Sequence, residues 1–114
     1  MLIVILIVCF RMRYDFVYVL SASMKPSLEV GAVTLVDKGD KNLERGDIAV
    51  YRHYGRNIIH RVSDVTSAGY IFKGDANSST DPGTAKKSQI KGKVKAVFNA
   101  PAPLVRRILN LQDI

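Results

Sequence analysis

A chain of 114 residues can bury one modest core and has no room for a second. With 47 % hydrophobic and 24 % charged residues, it is neither disordered nor of low complexity. Its net charge of +7 would attract nucleic acid or anionic headgroups, but the basic residues are scattered and gathered on no helix face, so nucleic acid is not expected as a partner.

The first ten residues, Met1 to Phe10, are almost purely apolar and stop at Arg11 and Arg13. A spanning helix needs about 20 such residues, and the run has neither the basic start nor the small-residue cut site of a removable leader. Two readings remain: the end of a membrane anchor that begins upstream, or a greasy strand or helix packed on the domain. Its lack of alternation favours the partial anchor, over residues 1–13, with the remaining domain at 14–114. Cys9 lies in this run and is the one cysteine, which rules out an intramolecular disulfide and a thiolate-built metal site.

After Phe10 the texture becomes that of short strands between turn residues. Strands are expected at 16–20, 32–37, 47–53, 58–65 and 70–73, with Gly55-Arg56-Asn57 as a hairpin turn. Residues 74–88 are polar and without periodicity, hence a loop. Residues 90–98 alternate again, and 103–111 carry apolar residues at helical spacing behind Pro101 and Pro103. The expected fold class is mostly β, several short strands with a greasy N-terminus and a short C-terminal amphipathic helix.

Three polar clusters stand out. Ser21-Ala22-Ser23-Met24-Lys25-Pro26-Ser27 follows a strand, a good place to hold a nucleophile; a serine-rich turn explains it equally well. His60 shares a strand face with Ile58 and Val62, which keeps an imidazole neutral and able to accept a proton; a strand histidine bonded to backbone fits as well. Asp75 and Asp81 lie in one polar loop, where aspartates also serve as ordinary turn formers.

Taken in order, these elements resemble the signal peptidase I family in its endoplasmic-reticulum, archaeal and sporulation-type branch. Ser21 to Pro26 match its Ser-x-Ser-Met-x-Pro box and Arg45 to Tyr51 its Arg-Gly-Asp-Ile-x-Val-Tyr stretch. His60 to Val62 match His-Arg-Val, and Lys73 to Asp81 match Lys-Gly-Asp-x-Asn with a later Asp. The resemblance runs from about Val19 to the end and implies a signal-peptidase-like β fold. It implies a serine endopeptidase with Ser23 as nucleophile, His60 as general base and Asp81 as the acid that orients the ring. Asp75 matches the other family carboxylate and is read as holding the loop together. Ser21 and the Ser23 N–H would line the oxyanion hole.

A histidine at position 60 replaces the lysine base of the ordinary bacterial enzymes, which makes Lys25 and Lys73 poor candidates for that role. His53 matches no family element and should be dispensable. The implied substrates are signal peptides of secretory preproteins, bound extended, with small residues at the first and third positions before the cut. Strands near 17–20 and 47–51 are expected to offer an edge for them. The implied setting is a membrane, with lipid contact, the catalytic domain outside the cytoplasm or in the ER lumen, and possible partner subunits. No spacing suggests a metal, nucleotide or redox cofactor. Two other readings stand beside this one: a self-cleaving repressor of the LexA type, which needs a lysine base, and a non-catalytic membrane-tethered β module.

Overall fold

In the computed structural model, which describes residues 1–99, helix α1 (Leu2–Arg13) passes at Tyr14 straight into strand β1 (Tyr14–Tyr18). Every residue of α1 is exposed, so the segment is not packed on the domain. A helix apolar on all sides is suited to an apolar surrounding. Twelve residues rise roughly 18 Å, against about 30 Å of bilayer hydrocarbon; no described helix is long and apolar enough to cross a membrane. The amphipathic helix expected at 103–111 lies outside the described residues.

The end of α1 is tied to the domain through Arg13, through the Arg11 carbonyl, which accepts from Lys38 Nζ, and through the Phe10 ring beside Phe16. The Arg13 guanidinium donates to both carboxylate oxygens of Asp37, at 3.0 and 3.1 Å, and the Lys38 N–H donates to the Arg13 carbonyl at 2.7 Å. The guanidinium hydrogen bond holds the Asp37 carboxyl below its ordinary pKa against the opposing effect of burial.

Six strands form one antiparallel sheet in the order β1-β2-β6-β3-β4-β5, the others being β2 (Val33–Asp37), β3 (Ile48–His53), β4 (Arg56–Thr66), β5 (Gly69–Lys73) and β6 (Ile90–Phe98). The first strand begins earlier than the apolar run at 16–20 suggests. Its ladder runs from Tyr14 opposite Asp37 to Tyr18 opposite Val33, and beyond it Val19 bonds instead to the turn before β2, through Ala32 and Gly31. The hairpin turn also falls earlier than expected. His53 pairs with Arg56, leaving Tyr54 (φ 49°) and Gly55 (φ 76°) as a two-residue loop. Positive φ at both positions matches the twist of the flanking strands; a tyrosine rarely accepts it, and so the pattern pointed one residue downstream.

One expectation is overturned. The stretch at 47–51 offers no edge, because β3 is hydrogen-bonded to β4 on one side and β6 on the other. Its buried run Ala49, Val50 and Tyr51 is that of a central strand.

Ladder irregularities at Leu35/Val36, Val50/Tyr51 and Val62/Asp64 bend the sheet, and two apolar clusters hold it. One joins Leu43, Ala49, Tyr51, Val62, Phe72, Ala85 and Ile90. The other joins Val19, Met24, Leu28 and Ala32 against Ile48, Ile59 and Val97. Met24 and Leu28, each 1 % exposed, seat the serine-rich turn on the sheet.

Candidate active site

Ser23 sits on that turn beside the Met24 plug. On the far side, the loop after β5 closes over it. The Ala76 N–H donates to the Ser23 carbonyl at 2.8 Å, and the Asp75 N–H to the Met24 sulfur at 3.4 Å. Gly74 lies so close that a Cβ there would meet the Ser23 carbonyl oxygen at 2.7 Å and His60 Nε2 at 3.0 Å. Only a residue without a side chain lets the loop, the turn and the imidazole meet.

His60, on β4, is buried to 8 % exposure. Its Nε2 lies 3.0 Å from Ser23 Oγ and its Nδ1 2.6 Å from Asp81 Oδ2. An ionised carboxylate only accepts, so Nδ1 carries the ring proton, which leaves Nε2 as acceptor for the Ser23 hydroxyl. Asp81 is fixed from two sides. Its backbone N–H donates to the Phe72 carbonyl at 2.8 Å, and its Oδ2 also receives the Tyr51 hydroxyl at 2.5 Å. Burial, and then the Asp81 carboxylate, push the Tyr51 hydroxyl pKa well up, so it stays a donor. Ser21 Oγ is 2.9 Å from Ser23 Oγ and 3.5 Å from the Ser23 N–H.

Asp75 leaves the same loop in another direction. Its carboxylate accepts two bonds from Arg61, at 3.0 and 2.9 Å, and one from the Ser27 hydroxyl at 2.6 Å. The Arg61 hydrogen bond, opposed by burial and supported by Ser27, holds its pKa below the ordinary value. Asp75 has no bond to the imidazole. Lys25 is an exposed surface residue 3.7 Å from Glu29, and among the described residues Lys73 Nζ hydrogen-bonds only the Gly74 carbonyl. His53 does not line the groove that holds Ser23, and its ring is edge-on to Tyr54 with centroids 4.3 Å apart.

Ser23 and His60 open onto a groove of about 490 Å³. Val17, Tyr18, Val19 and Leu20 form one wall, and Arg56, Asn57, Ile58 and Ile59 the other. The ladder to β5 runs only from Arg61 to Thr66, so the backbone of β4 next to the groove has no partner strand on that side among the described residues.

Residues 11–95 match the family profile described as Peptidase S24-like. The chain belongs to the Peptidase S24-like family. Among curated proteins, the signal peptidase complex catalytic subunit SEC11 of Scheffersomyces stipitis is 37 % identical over 79 residues, covering 64 % of this chain and 48 % of that one. The chain thus spans about half the length of the curated relative it matches, and the two comparisons together relate it to the signal peptidase I family.

In this S24-like chain the structure brings Ser21, Ser23, His60 and Asp81 together and sets Asp75 on a separate clamp. Sequence reasoning gave no role to three further polar residues. Tyr51 was visible only as the end of a motif. The signal that would have exposed it is alternation: Ala49 faces His60 and Tyr51 faces Ile58, so Tyr51 shares the imidazole's face of the sheet. Arg61 and Ser27 grip Asp75, contacts that depend on how turn and loop fold over each other.

Proposed function

We propose that this chain is the catalytic part of a membrane-bound serine endopeptidase that removes signal peptides from exported preproteins. The observation that carries the reading is the position of the His60 ring, 3.0 Å from Ser23 Oγ through Nε2 and 2.6 Å from Asp81 Oδ2 through Nδ1. In this reading His60 takes the hydroxyl proton as Ser23 Oγ attacks the scissile carbonyl. Asp81 holds the ring in the Nδ1–H tautomer and stabilises its charged form. His60 then protonates the leaving amine, and water releases the acyl-enzyme. The Ser23 N–H and the Ser21 hydroxyl receive the oxyanion, and losing one such donor costs on the order of 10²–10³ in rate. Asp75 supports the loop.

The groove suits an extended peptide, whose backbone would pair with the partnerless side of β4 while its side chains meet Val17, Leu20, Ile58 and Ile59. The SEC11 relative, named as a catalytic subunit of a signal peptidase complex, supports signal peptides as substrates and partner subunits as companions. Residues 1–13 form part of a membrane anchor and 14–114 the catalytic domain, on the extracytoplasmic or ER luminal side. The fully exposed apolar α1, ending in Arg11 and Arg13, supports contact with lipid. A self-cleaving repressor would place a lysine at Ser23, where this chain has His60.

The test is cleavage of a model preprotein in detergent or vesicles. Wild-type protein should cut it, and Ser23→Ala and His60→Ala should each lose about 10⁶-fold in kcat. Cleavage that survived either substitution would rule out the assignment.

A further inference from the structure

Asp81 Oδ2 receives two donors, the His60 Nδ1–H at 2.6 Å and the Tyr51 hydroxyl at 2.5 Å. A buried tyrosine needs a partner for its hydroxyl, yet this one is not merely satisfied. It bonds the same oxygen that holds the imidazole, and its aim is fixed at both ends. The Tyr51 ring stacks on Phe72 with centroids 4.2 Å apart and planes 13° off parallel. The Phe72 carbonyl in turn accepts the Asp81 N–H. Ring, carboxylate and backbone therefore form one closed unit.

We propose that Tyr51 is a positioning residue for catalysis, holding the Asp81 carboxylate against His60 and drawing off part of its charge. This deepens the peptidase reading and rests on it. Two consequences follow from charge-assisted hydrogen bonding. Without the hydroxyl, Oδ2 is free to turn away from Nδ1, so the fraction of rings aligned for proton transfer falls. In the rings that stay aligned, the carboxylate charge bears undivided on the imidazole, which there holds its proton to higher pH.

The other charged or titratable groups facing this unit are held by contacts that do not include the Tyr51 hydroxyl. His53 lies on the Tyr51 side, its ring 6.0 Å from the tyrosine ring. Lys73 and Asp75 flank Gly74, where an added Cβ would lie 3.0 Å from His60 Nε2, and Asp75 is paired with Arg61. Ser23 is uncharged.

The experiment compares wild type with Tyr51→Phe, which keeps the ring and its stack and removes the O–H. The expected result on a preprotein substrate is a kcat lower by about tenfold with KM unchanged, and the acidic limb of kcat/KM moved up by about half a pH unit. In a Ser23→Ala background, which does not turn over, the His60 Nδ1–H proton resonance should shift when Tyr51→Phe is added. Ile90→Val trims the core on the rung beside Tyr51 but keeps ring, stack and hydroxyl, and should leave the limb in place. Equal limb shifts in Ile90→Val and Tyr51→Phe would make the effect one of packing and overturn the proposal. An unmoved limb and resonance, with cleavage still dependent on His60, would overturn it alone. Cleavage that survived His60→Ala would overturn the peptidase reading as well.

Discussion

Asp81 and Asp75 leave one loop and end in different company. Asp81 meets a buried imidazole and a tyrosine hydroxyl; Asp75 meets a guanidinium and a serine hydroxyl. Imidazole gains and loses its proton near neutral pH, whereas guanidinium keeps its charge at any pH a protein survives. A carboxylate facing the first can stabilise a charge that comes and goes during a reaction. A carboxylate facing the second makes a constant strut, here joining β4 to the serine-bearing turn through Arg61 and Ser27. On the proposed reading, the same side chain serves proton transfer or architecture according to what stands opposite it.

Exchanging carboxylate for amide at each position is the sharpest way to break this comparison. Asp81→Asn should lower kcat by about 10⁴-fold with the fold intact, because an amide can donate to Nδ1 and so favour the tautomer whose Nε2 already bears a proton. Asp75→Asn should lower kcat less than tenfold in folded protein. If the two losses were equal, measured by steady-state cleavage of one preprotein, the division of labour would fail.

Gly74 stands where the two regions join. Gly74→Ala would put a Cβ 2.6 Å from Asn77 Nδ2, 2.7 Å from the Ser23 carbonyl oxygen and 3.0 Å from His60 Nε2. Asn77 can swing aside; the Ser23 backbone and the imidazole cannot both keep their places. A misplacement approaching 1 Å costs about 10²-fold, so kcat should fall by that order while the circular dichroism spectrum is retained.

For Asp75 itself the main effect is on stability, and it depends on pH. Its folded pKa is lowered from 3.8, first by the Arg61 hydrogen bond. A lowered carboxyl contributes stability that is present above the ordinary carboxylate range and lost as pH falls through the folded value. Arg61 is 36 % exposed and Asp75 19 %, so screening discounts the pair to about 1–2 kcal/mol. In urea denaturation Asp75→Asn should be less stable than wild type by that amount at pH 7, and the gap should close as the pH is taken below the carboxylate range. A gap that stayed constant into acid would show that the clamp does not act through its charge.

The strands were legible because this sheet has polar and apolar faces and its turns carry Gly, Asn and Asp. The strand expected at 90–98 is β6 with the same limits, and the one expected at 58–65 lies inside the longer β4. Placement was less legible where it depends on pairing. The first strand takes its limits from its ladder to β2, and β3 is a central strand because β6 returns beside it. For the candidate site, the order Ser23, His60, Asp81 could be read from motif resemblance, since it is a property of the chain. That Asp81 and not Asp75 reaches the ring is a property of loop geometry. The Tyr51 contact crosses from β3 to the loop after β5, and no local pattern encodes it.

The smallest expected effect concerns the protein's other histidine. His53 lies on β3, which also carries Tyr51, and its ring is 6.0 Å from the Tyr51 ring, close enough to raise the question of a second proton route. Its position argues otherwise. His53 pairs with Arg56 at the last rung before the turn, is only half-buried, and rests against Tyr54, itself 93 % exposed. Among the described residues no hydrogen bond joins that ring to Asp81, whose Oδ2 partners are Tyr51 and His60. His53→Ala should leave kcat/KM within about twofold and its pH profile unmoved. A displaced acidic limb would mean that the unit around Asp81 extends through Tyr51 to the hairpin.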